Sequence, residues 1–292
     1  MDSVEILLGN SEFFLPFVFL LGLVVGSFLN VVIYRLPIML ERTWRRECEE
    51  FLGSNISGNG AQEEFNLIVP RSRCPHCGHG IGAFENIPVL SYIFLGGKCV
   101  QCKSPISLRY PLVEIITASI SLVVAWKLGP SLQTLWALPL SWGLVCLSAI
   151  DIDRRLLPDS ITLPFLWLGL LLGLFDVFAD TRSSIIGAMA GYLSLWLVFH
   201  VFKLLTGKEG MGYGDFKLLA LLGAWLGWQS LLLVMLLSSL VGAFAGVMMI
   251  LLLNRDRSIP SPFGPFLCAA GWIALLWGHE ITVSYLRLSG IH

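Results

Sequence analysis

Unbroken apolar runs, rather than alternating ones, organise this chain. Stretches near 13–34, 111–128, 133–150, 161–178, 184–205, 216–229, 231–253 and 264–283 are nearly free of charge. Most match the ~20 helical residues that cross a ~30 Å hydrocarbon core, and 216–229 is the shortest. Lipid offers the backbone no hydrogen-bond partners, so continuous apolar runs predict helices, where a barrel strand would alternate. The pattern predicts an all-α, polytopic membrane protein with about eight transmembrane helices. One region breaks it. From about 37 to 110 the chain is polar, carries cysteines and is punctuated by Gly and Pro. The expected organisation is a first transmembrane helix in 1–36, a small inserted domain in 37–110 and a polytopic core in 111–292. Within the insert, 41–53 reads as a mixed-charge helix and 54–64 as a surface loop of turn formers.

Composition narrows the class. A hydrophobic fraction of 55% with 13% charged residues excludes an ordinary soluble globule. Acids (Asp2, Glu5, Glu12) precede the first apolar run, where a cleavable signal would carry basic residues, and no small-residue cleavage site follows. The first run is therefore expected to remain as a span. The following loop holds Arg35, Arg42, Arg45, Arg46, Arg71, Arg73, Lys98, Lys103 and Arg109, which assigns it to the cytoplasm. Counting eight spans puts Arg154 and Arg155, Lys203 and Lys208, and Arg255 and Arg257 on that same side. Both termini then lie on the other. The net charge of −1 adds little, because the asymmetry between faces outweighs the sum.

Two C-x-x-C pairs, Cys74-Pro-His-Cys77 and Cys99-Val-Gln-Cys102, are separated by 21 residues, close to zinc-ribbon spacing. Each pair can put two thiolates on one tight turn, and two turns complete a tetrahedron. Gly78, Gly80, Gly96 and Gly97 flank the knuckles where such turns need unusual backbone angles. Four thiolates leave no open coordination position, so a structural zinc in a zinc-ribbon-like cytosolic loop is favoured over a catalytic one. Disulfides are disfavoured in a reducing cytosol. His76 and His79 are spare candidate ligands. Cys48, Cys146 and Cys268 have no partner spacing and read as isolated thiols.

The second chemical signal is a pair of carboxylates in apolar surroundings. Asp151 ends the run SWGLVCLSAID, and Asp215 lies in GMGYGDFKLL. An acid near bilayer depth is costly and is kept where it faces a bundle interior or a wet cavity. For Asp153 and Asp159 the plainer reading suffices: Asp153 pairs with a neighbouring Arg, and Asp159 with Ser160 caps the next helix. For Asp215 the plainer reading is a helix N-terminal acid after a flexible loop containing Gly210, Gly212 and Gly214. Pairing with Asp151 argues otherwise. Two neighbouring carboxyls in a low-dielectric pocket cannot both ionise easily, so one serves as base and the other as acid on a peptide bond.

Those residues carry a resemblance. The chain resembles the prepilin peptidases, the bifunctional leader peptidase/N-methyltransferases of type IV pilus and type II secretion systems, over almost its whole length. The resemblance rests on Gly26-Ser-Phe-Leu-Asn30 with Arg35-Leu-Pro37, both C-x-x-C knuckles, Glu85-Asn-Ile-Pro88, and Arg109-Tyr-Pro111-Leu-Val-Glu114. It also rests on the Asp151 block through Leu157-Pro-Asp159, Gly207 to Lys217 around Gly212-Tyr-Gly214-Asp215, and Pro262-Phe-Gly264-Pro265. It implies a G-x-G-D-type intramembrane aspartyl protease of the bacterial inner membrane, with Asp151 and Asp215 as the catalytic pair. Its substrates would be prepilins and pseudopilins, cut after glycine. It implies membrane lipid and the pilus or secretion assembly machinery as surroundings; nucleic acid is not expected. It also implies methylation of the new N-terminal residue, commonly phenylalanine, from S-adenosylmethionine. The chain has no glycine-rich strand–turn–helix nucleotide motif, so by resemblance the donor belongs in or beside the cytosolic loop, marked by Gly97 and Lys98.

Two other classes compete. A proton-coupled transporter would also keep intramembrane acids, but these lie at cytosolic helix ends and no inverted repeat is visible. A non-catalytic zinc-sensing scaffold explains the cysteines and leaves Asp151 and Asp215 without a role.

Overall fold

The computed structural model describes residues 11–53, 65–208, 210–253 and 262–289. The loop expected at 54–64 and the charges Asp2, Glu5, Arg255 and Arg257 fall outside these residues. Among the described residues the fold is built from nine α-helices, with isolated bridges in place of strands. The chain divides into two compact units, Met1–Pro130 and Ser131–His292.

Unit 1 contains α1 (Ser11–Phe51), the short α2 (Leu90–Phe94) and α3 (Arg109–Leu128). The sequence suggested a span ending near 34 and a separate helix from 41. They are one 41-residue helix that runs through Pro37. Proline removes a single backbone donor and bends a helix, and here the turns on either side are strong enough to continue it. Arg35 supports that passage: it is buried, donates from Nη1 to the Asn66 carbonyl at 2.9 Å, and shares the Phe65 ring with Arg42. At ~1.5 Å per residue α1 is ~60 Å long, about twice a hydrocarbon core, so its exposed last turns extend past the apolar part. α1 and α3 approach through small residues. A Cβ on Gly22 would fall 2.7 Å from Ala118 Cα, and one on Gly26 2.7 Å from Glu114 Cα. Close backbone approach of this kind is how helices associate where lipid removes the hydrophobic driving force.

Unit 2 contains α4 (Leu132–Arg154), α5 (Asp159–Gly173), α6 (Thr181–Thr206), α7 (Tyr213–Leu226), α8 (Leu231–Leu253) and α9 (Gly264–Leu288). α7 is its centre: Phe216, Leu218 to Leu222, Ala224 and Trp225 are all buried, against α5, α6 and α9. α6 and α7 cross at Gly187 and Gly191 on one side and Gly223 and Leu219 on the other, with no room for a Cβ on those glycines. The Trp225 indole donates to the Phe165 carbonyl at 2.8 Å, tying α7 to α5.

All eight apolar stretches are helical. Among the described residues six helices, α1, α3, α4, α6, α8 and α9, are long and apolar enough to cross a membrane. α5 and α7 have 15 and 14 residues and so reach only ~21–23 Å. The chain turns at Gly173 to Val177 after α5, and at Gly227 (φ 78°) after α7. A helix enclosed by its neighbours, as α7 is, has no need to meet lipid at both ends.

Candidate active site and metal centre

Asp151 lies in the last turn of α4, and Asp215 in the first turn of α7; both are buried. Each is set by the chain around it. After Asp151 the helix ends at Arg155 in a left-handed conformation (φ 52°), whose N–H returns to the Asp151 carbonyl at 2.9 Å. The turn that follows brings Leu157 against α7. A Cβ on Gly214 would lie 2.8 Å from that of Leu157, so the glycine before Asp215 lets the two helix ends meet. Gly212 is the extended residue ahead of α7, and the Asp215 N–H reaches its carbonyl at 3.2 Å. Phe216, fully buried among Tyr192, Phe199 and Tyr213, anchors the first turn. The helix end that carries Asp215 is thus packed against the turn that follows Asp151.

A third element completes the arrangement, the Pro262-Phe-Gly264-Pro265 segment, whose role no local pattern discloses. α9 begins at Gly264, and the Gly264 N–H donates to Asp151 Oδ2 at 3.1 Å. A Cβ at 264 would sit 2.6 Å from that oxygen, so only glycine fits. The partners are 113 positions apart. The start of a helix carries unsatisfied N–H groups and a partial positive charge, which favours an anion.

Asp159 is not a cap. α5 starts without a side-chain capping bond, and the Asp159 carboxylate instead takes both Oδ atoms to Lys217 Nζ at 2.7 and 2.8 Å. Lys217 lies two residues after Asp215, and its ammonium is a better donor to the Asp159 carboxylate than a backbone N–H would be. The pair links the beginnings of α5 and α7.

In unit 1 the four predicted cysteines converge. The Sγ atoms of Cys74, Cys77, Cys99 and Cys102 lie within 4.8 Å of one another, with Cys74 to Cys102 at 3.8 Å and Cys77 to Cys99 at 3.9 Å. Zn–S bonds of ~2.3 Å in a tetrahedron put sulfurs ~3.8 Å apart, so the cluster has the size and donor set to hold a metal ion. The two knuckles use the same bonds. Cys74 N–H donates to the His79 carbonyl and Gly78 N–H to that of Cys74; Cys99 N–H donates to Ser104 and Lys103 N–H to Cys99. Gly78 (φ 73°) and Lys103 (φ 58°) occupy equivalent left-handed positions, and Gly96 and Gly97 are left-handed as expected. Gly80 is not; it pairs with Arg73 in a bridge that Lys98 and Pro105 repeat. This local repeat was hidden because apart from the cysteines the two knuckles share few residues.

The thiols are electrostatically interdependent. Backbone N–H groups of Cys77 and His76 lower Cys74 to about 6. The Ser104 hydroxyl and N–H lower Cys102. Cys77 is left at about 11: the His79 N–H pulls it down, but burial and the neighbouring thiols push it up further. Such a group holds all four charges only with a cation among them. His79 stands aside from the cluster, its Nε2 3.3 Å from the Glu85 carboxylate, and His76 is exposed. All seven cysteines are free thiols. Gly97 is buried at a left-handed turn where a Cβ would strike the Tyr92 hydroxyl, and Lys98 is exposed.

Taken together, these features define a multi-pass, all-helical membrane enzyme with paired buried acids and a separate metal-binding knuckle. The comparisons with known proteins agree. Residues 20–128 match the bacterial peptidase A24 N-terminal domain, and residues 138–247 match the type IV leader peptidase family. The chain's relatives include several named prepilin leader peptidase/N-methyltransferase. That of Aeromonas hydrophila is 58% identical over 97% of both chains, that of Pseudomonas aeruginosa 54% over 99% of both, and that of Burkholderia pseudomallei 49% over 94% of this chain and 88% of its own. No solved structure matches. The chain belongs to the type IV leader peptidase family.

Proposed function

We propose that this enzyme removes the basic leader of type IV prepilins and type II secretion pseudopilins after glycine, and methylates the new N-terminal residue, commonly phenylalanine. The observation that carries the reading is the joining of the two helix ends that bear the buried Asp151 and Asp215, through Leu157 against Gly214, with the start of α9 donating to Asp151. That asymmetry distinguishes the two acids. Asp151, facing the α9 amide, is the carboxylate that takes a proton from water; Asp215 holds the proton that polarises the scissile carbonyl. Water adds to the carbonyl carbon as its proton goes to Asp151 and the Asp215 proton goes to the oxygen. Collapse of the tetrahedral diol breaks the C–N bond as the Asp151 proton passes to the leaving amine and one diol hydroxyl returns its proton to Asp215, restoring both acids to their starting state.

The family names of the relatives support methyl transfer. S-adenosylmethionine would supply an electrophilic methyl group to the freed amine. Lys98, exposed beside the turn at Gly97, offers a cation for the donor's carboxylate. The four thiolates suit zinc in a structural role, since they fill its coordination shell. The basic residues between α1 and α3 support placing unit 1's knuckles in the cytoplasm and the helices in a bacterial inner membrane, where prepilins, lipid and the pilus or secretion assembly machinery are at hand.

The test is purified protein in detergent incubated with a prepilin and labelled S-adenosylmethionine, with leader loss and label read by mass spectrometry. Cleavage with label on the new N-terminus is expected. Cleavage without label would overturn the methyltransferase half, and neither would overturn the reading as a whole.

A further inference from the structure

Between the two knuckles, residues 84–94 form a strap whose large apolar side chains are left in the open. Phe84 is 88% exposed, Ile93 65% and Phe94 83%. In α2, Leu90, Ile93 and Phe94 stand three and four positions apart, which puts them on one helix face. Unit 1 itself fixes the level of that face. The Val89 N–H donates to Glu114 Oε2 at 2.7 Å, and Glu114 is buried in the second turn of α3, ~7 Å beyond its start. α3 is a membrane-crossing helix by length and composition, and its own Leu112 and Ile115 are exposed beside that level. Val89 is held at φ 58°, an outlier for a β-branched residue, where the bond to Glu114 keeps it. A strap tied to Glu114 therefore lies where α3 enters the bilayer, not out in the aqueous phase. Exposed Arg71 and Arg73 precede it in the chain and exposed Lys98 and Lys103 follow it, while the strap's acid, Glu85, is occupied by His79.

We infer that residues 84–94 are an interfacial anchor: Leu90, Ile93 and Phe94 dip into the headgroup–acyl boundary, and the basic residues of the knuckles rest on anionic headgroups. The inference depends on α3 crossing the membrane and not on either catalytic activity. It makes the metal knuckles a surface-bound element and holds Gly97 and Lys98, which follow the strap, at the membrane face.

The experiment uses the full-length, metal-loaded protein in vesicles of phosphatidylcholine with phosphatidylglycerol. A photoreactive benzoyl-phenylalanine replaces Phe94 in one preparation and Phe51, 91% exposed at the far end of α1, in another. After irradiation, lipid adducts at 94 should exceed those at 51 by at least ~10-fold. Attachment of position 94 to residues 131–292, or no lipid adduct there, would overturn the anchor. A yield indifferent to phosphatidylglycerol would overturn its headgroup half. In the chain with natural side chains, Ile93→Asp should speed amide exchange of 87–94 in vesicles while metal content stays unchanged; unaltered exchange would count against the anchor independently of the photoreactive group.

Discussion

The four thiols of unit 1 come from two short turns close together in the chain, and Cys77 and Cys102 are open to water. The two carboxylates of unit 2 come from separate helices, are buried, and need a third helix to supply a donor. The first arrangement has little apolar core of its own and depends on an ion for cohesion, for which structural zinc sites provide on the order of 10–16 kcal/mol. The second buries acids at helix ends within apolar surroundings, and tightly packed helices such as α7 bear the cost of keeping them there. One site should respond to metal and be indifferent to helix packing; the other should do the reverse.

The sharpest break of that contrast removes the acids. Asp151→Asn or Asp215→Asn should lower prepilin cleavage by about 10³-fold or more, the scale of lost acid–base catalysis, with metal content intact by elemental analysis. Retained processing in either variant would sink the two-acid reading. Metal removal is the converse. Cys74→Ser or Cys99→Ser should release most of the bound metal and open residues 65–108 to limited proteolysis, while unit 2 keeps its thermal transition; unchanged metal content would refute the four-thiolate site.

A subtler probe is Gly264→Ala. Its methyl would crowd Asp151 Oδ2 and displace the donated N–H, so cleavage should fall about 10- to 100-fold, with modest loss of stability. Activity equal to that of the natural chain would remove α9 from the site. Smallest of all is Lys217→Ala. The pair with Asp159 is partly exposed, Lys217 at 31% and Asp159 at 53% of their side chains, so thermal unfolding should register about 0.5 kcal/mol or less. A larger loss of cleavage than of stability would mark the pair as positioning Asp215.

How much of this the sequence disclosed followed from range. Apolar runs announce helices because hydrocarbon imposes one solution on them, and Cys-x-x-Cys announces a knuckle because both ligands share a turn. Asp151 and Asp215 stood out because a charge in an apolar run is expensive wherever the partner is. The partners themselves were invisible. The Gly264 amide, the Val89 amide on Glu114 and the Lys217–Asp159 pair are all set by tertiary approach, and no local pattern encodes them. Asp159 was misread as a cap for that reason: local statistics favour capping, and a lysine 58 positions later outbid the backbone. α1 was divided near 37 because the composition turns polar there, whereas the helix runs on and its polar part carries the docked Phe65 and Asn66 on Arg42 and Arg35.

The Gly264 contact also sets an order of manufacture. Domains fold in sequence as the chain is made, N-terminal parts first. The cysteine knuckles are complete once α3 has been synthesised, but Asp151 must wait for α9, the last helix described, before its donor exists. A ribosome-bound chain that has threaded α4 and α7 already carries both acids, yet Asp151 stays without its amide donor until α9 follows.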